Sequence, residues 1–234
     1  MNAPLSHRLI AEAVGTAFLL AAVVGSGIMA DRLFAGQQGL ALLANSLATG
    51  AALVALIPTF GPVSGAHFNP VVTLVERTAL PWQTVAWYVV AQLAGAMLGV
   101  WMAHAMFGER VFMLSHHARS GAAQWFSEFI ATFGLLAVIT GCSRRRSEAV
   151  PVAVAAYIMA AYWFTASTSF ANPAVTIARA FTDTFAGIRP ADVPAFVVAQ
   201  LLGGMSGALL LRWLTPAAIE PSRGGLPLVG SATR

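Results

Sequence analysis

Six stretches of this chain, about 9–29, 40–60, 83–105, 125–142, 150–167 and 193–213, are apolar over the length that a helix needs to cross a bilayer. A hydrocarbon core of about 30 Å takes about 20 residues at ~1.5 Å each, and lipid offers no partner to an unpaired backbone group. Such runs close into helices. The charge count agrees: the 13 basic and 9 acidic residues are 9% of 234 positions, where a soluble domain carries roughly a quarter. With 58% hydrophobic residues a soluble enzyme cannot wet its surface. The chain reads as an all-α polytopic integral membrane protein in contact with the lipid bilayer.

The basic residues are all arginine, scattered through the links between spans, and present no continuous face to nucleic acid. One cysteine, Cys142, makes neither an internal disulfide nor a thiolate metal site. The first run carries Glu12 and has no small-residue cleavage site before Asp31, so it reads as a retained span. Placing the N-terminus in the cytoplasm puts Arg8, Arg77, Arg144, Arg145, Arg146, Arg212, Arg223 and Arg234 inside. Arg32, Arg110, Arg119, Arg179 and Arg189 then lie outside. This predicts an inner (plasma) membrane protein with both termini cytoplasmic. The expected parts are an N-terminal segment 1–8, a bundle 9–213 and a C-terminal tail 214–234 rich in Pro, Gly and Ser.

Two segments between spans, 64–80 (SGAHFNPVVTLVERTAL) and 167–181 (STSFANPAVTIARAF), become apolar and helix-like after an Asn-Pro. About ten helical residues rise roughly 15 Å, half a hydrocarbon core, so each reads as a re-entrant half-helix. The chain also repeats itself. Glu12-x-x-x-Thr16-x-x-x-Leu20 recurs 116 positions later as Glu128-x-x-x-Thr132-x-x-x-Leu136, and Asn69-Pro70 recurs 103 later as Asn172-Pro173. Ala91-Gln92-Leu93-x-Gly95 recurs 108 later as Ala199-Gln200-Leu201-x-Gly203. Each half, about 9–105 and 125–213, holds three spans and one half-helix. Three is odd, so the second half enters the membrane in the opposite sense, giving an inverted repeat with a pathway between the halves.

Proline at the first helical position sacrifices no hydrogen bond, and Asn just before it is a good cap. Two half-helices that start at the midplane face each other with their positive ends, repelling cations and protons. The amides of Asn69 and Asn172 then donate to whatever crosses. These residues imply a passive pore for small uncharged solutes, with no cofactor and no catalysis.

At these motifs, together with the Glu-x-x-x-Thr pattern and the SGAHFNP approach, the sequence resembles the major intrinsic proteins, the aquaporins and aquaglyceroporins, from about Leu9 to Trp213. The resemblance implies an aquaporin-like right-handed bundle of six transmembrane helices plus two re-entrant half-helices, one pore per subunit, and a homotetramer. It also identifies departures. The first motif ends in Val71 where the family has Ala, although Ala174 keeps the family residue in the second. Val175 stands where the family has the arginine of its narrowest constriction. By the family's spacing the other constriction positions fall on Thr49, Ala160 and Ser169, none aromatic or charged. A wide, weakly polar outer filter is expected, passing glycerol-like solutes and metalloid hydroxides such as arsenite or methylated arsenicals. This resembles bacterial aquaglyceroporins linked to arsenic resistance. Arg179, one helical turn beyond Val175 on the same face, is the candidate substitute for the missing arginine, but lying about 6 Å further out it is expected at the pore mouth or paired with Asp183.

Glu12 and Glu128 sit inside spans, where an acid is a functional candidate. A proton-coupled transporter would use them; the resemblance instead implies that each accepts backbone N–H bonds from the turn leading to a half-helix. The rivals within the channel class are an ordinary water or glycerol channel and an adhesive relative with a closed pore. His67, two residues before Asn69, lies on the expected pore approach. His104, His116 and His117 read as a solvated link, with no convergent metal-ligand spacing. The glycines of spans three and six suit close helix crossings.

Overall fold

The computed structural model describes residues 3–76 and 80–215. Among the described residues, six helices, two of them taken with the 3₁₀ turn that precedes them, are long and apolar enough to cross a membrane. They are α1 (Leu5–Leu33), α2 (Gln38–Ser64), α4 (Trp82–Phe107), α5 (Ala122–Ser143), α6 (Val150–Phe164) and α8 (Val193–Leu214), the last two each entered through a single 3₁₀ turn. Two short helices, α3 (Pro70–Val75) and α7 (Pro173–Arg179), interrupt the series at matching places. The chain is therefore α1–α4 followed by α5–α8, two halves of the same plan.

Glycine makes the two halves close. A Cβ at Gly95 or Gly99 would overlap the carbonyl oxygens of Ala13 or Ala17, and one at Gly203 or Gly207 would overlap those of Phe129 or Phe133. The α1–α4 and α5–α8 crossings are thus backbone against backbone, as small residues permit where lipid removes the hydrophobic drive between helices. The glycines are 108 positions apart and their partners 116 apart, the two offsets of the sequence repeat. Leu20 and Leu136, fully buried and also 116 apart, pack beside the short helices at the centre.

α1 begins at Leu5, so residues 5–8 of the N-terminal segment are helical. Arg8 anchors this polar first turn: its Nε donates to the Tyr88 hydroxyl at 2.7 Å and its guanidinium lies 5.2 Å from that ring's centroid. The half-helices have 6 and 7 residues, shorter than the ten expected. After α7 the chain folds back, with the Ala180 carbonyl accepting from Ser115 N and the Arg179 carbonyl from Ile188 N. The predicted tail, beyond Thr215, and Arg77 lie outside the described residues.

Substituting Gly95 or Gly203 by Leu forces side-chain atoms into a helix backbone. Each variant is expected to lower the thermal unfolding midpoint in detergent by at least about 5 °C, whereas Leu209→Ala on the exposed face of α8 leaves it nearly unchanged.

Candidate functional site

Asn69 and Asn172 cap α3 and α7 from extended backbone, with φ of −154° and −158°. The Asn69 Oδ1 accepts from Val71 N at 2.9 Å, and the Asn172 Oδ1 accepts from Ala174 N at 3.0 Å and Val175 N at 3.3 Å. Pro70 and Pro173 follow at the first helical position and are buried. The two amides also bind across the repeat. Asn69 Nδ2 donates to the Ala171 carbonyl at 2.8 Å, and Asn172 Nδ2 to the Phe68 carbonyl at 2.7 Å. Each NH₂ thus spends one hydrogen in tying the turns together and keeps a second beside the cavity that both residues line.

The turns before the asparagines are strained alike. Ala66 and Phe68 in the first, and Ser169 and Ala171 in the second, have φ of 49–51°, a left-handed backbone costing non-glycine residues on the order of 1 kcal/mol or more each. The amides of His67 and Phe68, and of Phe170 and Ala171, point inward to carboxylates. Glu12 accepts from His67 N (2.9 Å), Phe68 N (2.8 Å), Ser64 Oγ (2.6 Å) and Gln92 Nε2 (2.8 Å). Glu128 accepts from Phe170 N (2.9 Å), Ala171 N (2.9 Å) and Gln200 Nε2 (2.6 Å). Both carboxylates are 0% exposed and neither lines the cavity. The same two glutamines donate to Thr73 Oγ1 and Thr176 Oγ1 on the half-helices. Sequence reasoning noticed Gln92 and Gln200 as part of the repeat without their role; polar residues at a shared offset inside apolar spans were the signal.

A cavity of about 270 Å³ runs between the halves, lined by Leu19 and Val23 of α1 and their counterparts Leu135 and Ile139 of α5. One end carries His67, Glu76 and Ser143; the other carries Thr49, Tyr162, Ser169, Val175 and Arg179. His67 Nδ1 meets Thr73 Oγ1 at 3.1 Å, and its ring lies against Tyr88.

The structure departs from the expected pore wall at three residues, Ala160 of the filter, Val71 of the centre and Arg179 of the approach. Ala160 is exposed on the outer face of α6 and takes no part in the cavity wall. Val154, Ile158 and Tyr162, four residues apart, form the inward stripe instead, and the Tyr162 hydroxyl meets Thr49 Oγ1 at 3.2 Å. Two residues turn a helix through ~200°, so a count from Asn172 that is off by two selects the wrong face. An aromatic ring therefore stands where none was expected.

Val71 does not enter the cavity. It is fully buried against α8, where a Cβ at Gly204 would overlap its Cγ1, so glycine absorbs the bulk added to the motif.

Arg179 neither sits at an open mouth nor pairs with Asp183. It is 3% exposed, its guanidinium carbon lies 3.4 Å from the Phe170 ring centroid, and its Nε donates to the Ala186 carbonyl. The fold-back after α7 closes over the side chain and turns it to the cavity. Asp183 instead accepts from His116 N at 2.8 Å and Nδ1 at 3.0 Å, bonds that hold its carboxyl below the usual range. His104 is also buried, its Nε2 2.8 Å from Thr182 Oγ1, rather than solvated.

The sequence profile of the major intrinsic proteins matches residues 2–160 and 145–229. The chain belongs to the major intrinsic protein family. Aquaglyceroporin AqpS of Rhizobium meliloti (strain 1021) is 55% identical over 94% of this chain and 93% of its own length. Aquaporin NIP1-1 of Oryza sativa subsp. japonica is 31% identical over 88% of this chain and 74% of its own. The crystal structure of the aquaglyceroporin from Plasmodium falciparum superposes with a TM-score of 0.64 at 20% identity, covering 90% of this chain and 95% of that one, and shows the same fold.

As a major intrinsic protein the chain is a membrane channel, not an enzyme. Glu12 and Glu128 are closed in by donors and stand outside the cavity wall, so neither is placed to relay a proton along the pathway. Glu12→Gln or Glu128→Gln puts an NH₂ group among those donors and strands buried N–H groups at about 1–3 kcal/mol each. Either variant is expected to lose thermal stability and water permeability together in proteoliposomes. A stable variant whose flux has merely acquired a pH dependence would contradict this role.

Proposed function

We propose that this channel passes small uncharged hydroxylated solutes, glycerol and trivalent metalloid hydroxides such as arsenous acid among them, with methylated arsenicals as bulkier candidates. The observation that carries this reading is the pair Ser169 and Val175, small side chains lining the cavity beside Asn172. Val175 leaves open the volume that an arginine would fill, while the Thr49 and Tyr162 hydroxyls and the Asn69 and Asn172 amides offer hydrogen bonds along the path. Tyr162 makes this end narrower than the sequence suggested. That favours compact polyols and hydroxides over larger solutes. The name of the AqpS relative, an aquaglyceroporin, agrees with glycerol passage.

The arginine asymmetry orients the chain. With both termini in the cytoplasm, the His67–Glu76 end faces inward beside Arg144 and Arg212, and the Arg179 end faces outward. The protein then resides in the plasma membrane. Its outer surface is apolar at Phe18, Trp87, Leu98, Phe126 and Leu209, among others, and serves lipid and the neighbouring subunits of a homotetramer, each subunit with its own pore.

Stopped-flow light scattering on proteoliposomes tests the filter. The native protein is expected to pass glycerol and arsenous acid well above bare lipid. Val175→Arg is expected to bring both near the lipid baseline, because its side chain fills the wall and sets a second cation one turn from Arg179. Passage of water alone by the native protein, or no change on substitution, would overturn the reading.

A further inference from the structure

One pair of equivalent positions in the repeat carries side chains of opposite charge at the two ends of the cavity, the Glu76 end also lying beside Arg144 and Arg212. Glu76 and Arg179 are 103 residues apart, as Asn69 and Asn172 are, and both line the cavity. Among the described residues Glu76 is the only carboxylate-bearing one in the wall, and it belongs to the far end. At the Arg179 end the charge is cationic. Arg119, from the segment between α4 and α5, lies 5.0 Å from the same Phe170 ring that carries Arg179. Burial pushes its guanidinium down to about 10, with Glu128 opposing, so it stays charged at neutral pH. The acids nearby are already engaged: Glu128 with Phe170 N, Ala171 N and Gln200, Asp192 with Arg189 and Arg119 N, and Asp183 with His116.

Two buried polar groups lining this end have unused hydrogen-bonding capacity. The terminal nitrogens of Arg179 have no hydrogen-bond partner among the described residues, its Nε alone being held by Ala186. The Ser169 hydroxyl, in a residue 3% exposed, likewise has none. A buried guanidinium with idle N–H groups beside an idle hydroxyl is a donor set for clustered oxygen acceptors. Valine at 175 keeps the way to it open.

We propose that the Arg179 end of the cavity is a binding subsite for small oxoanions, tetrahedral monoanions such as dihydrogen phosphate, held by the Arg179 terminal nitrogens and Ser169 Oγ. An anion seated there stands in the path of the solute column and obstructs it, whether it then crosses or leaves by the way it came. The subsite depends on the channel class and the cavity, and not on which neutral solute is carried.

Osmotic water permeability of proteoliposomes at pH 6 tests it, with inorganic phosphate equal on both sides and sodium gluconate holding ionic strength constant. Water permeability is expected to fall saturably, at least twofold, as phosphate replaces gluconate. Arg179→Gln is expected to raise the half-blocking concentration about tenfold or more, the loss of a charged hydrogen bond, and Ser169→Ala about threefold, the loss of a neutral one. Native permeability unmoved by phosphate overturns the proposal, as does an equal block in Arg179→Gln. If Arg179→Gln fails to fold, Ser169→Ala decides: an unchanged half-blocking concentration overturns it. Failure of glycerol and arsenous acid to pass the native protein would count against the neutral-solute reading alone.

Discussion

A backbone that leaves its helix inside a membrane has no water to bond, and the architecture of this channel rests on how that need is met. Two turns, 65–69 and 168–172, do leave it, with left-handed residues that expose successive N–H groups. Glu12 and Glu128 supply the acceptors from neighbouring helices, and Gln92 and Gln200 tie each carboxylate to a half-helix threonine. The asparagines join the two assemblies through each other's turns. Strain in the turns, the caps on α3 and α7, and the placement of the cavity are thus one network. Removing a carboxylate affects all three.

The inverted repeat doubles this solution and then breaks it where the ends of the pathway need different chemistry. Everything near the centre is paired: Asn69 with Asn172, Leu19 with Leu135, Val23 with Ile139. Away from the centre the pairs diverge, His67 against Phe170 and Glu76 against Arg179. The Phe170 ring has a role His67 cannot match, since the guanidinium carbons of both Arg119 and Arg179 lie within 5.0 Å of its centroid and it packs edge-on against Phe196. A pathway symmetric in its donors becomes polar in its charges.

Much of this was legible because repetition in an apolar chain is informative. Glutamates within spans, Asn-Pro twice, and glycines at a fixed offset each have few structural uses in lipid, so finding them paired identified the half-helices and the helix crossings. The filter was less legible. Thr49, Ser169 and Val175 reach the cavity, but Ala160 does not, because the step from α6 to the second turn changes the helical face by two residues. Val71 looked like bulk at the pore centre and instead fills a space that Gly204 leaves in α8. Arg179 looked peripheral because its distance from Val175 along the helix was visible and the fold-back that covers it was not.

The sequence by itself determined the number of spans, the inverted repeat, the paired asparagines and the membership in a channel family. Those features follow from local rules: apolar length against bilayer thickness, capping by Asn before Pro, and backbone approach at glycine. Only the tertiary structure decided which side chains face the solute. That choice depends on helix rotation and on where the segments 165–172 and 180–192 return. A rotation of ~200° for every two residues exchanges Ala160 for Tyr162. Long-range packing, not local pattern, sets that angle.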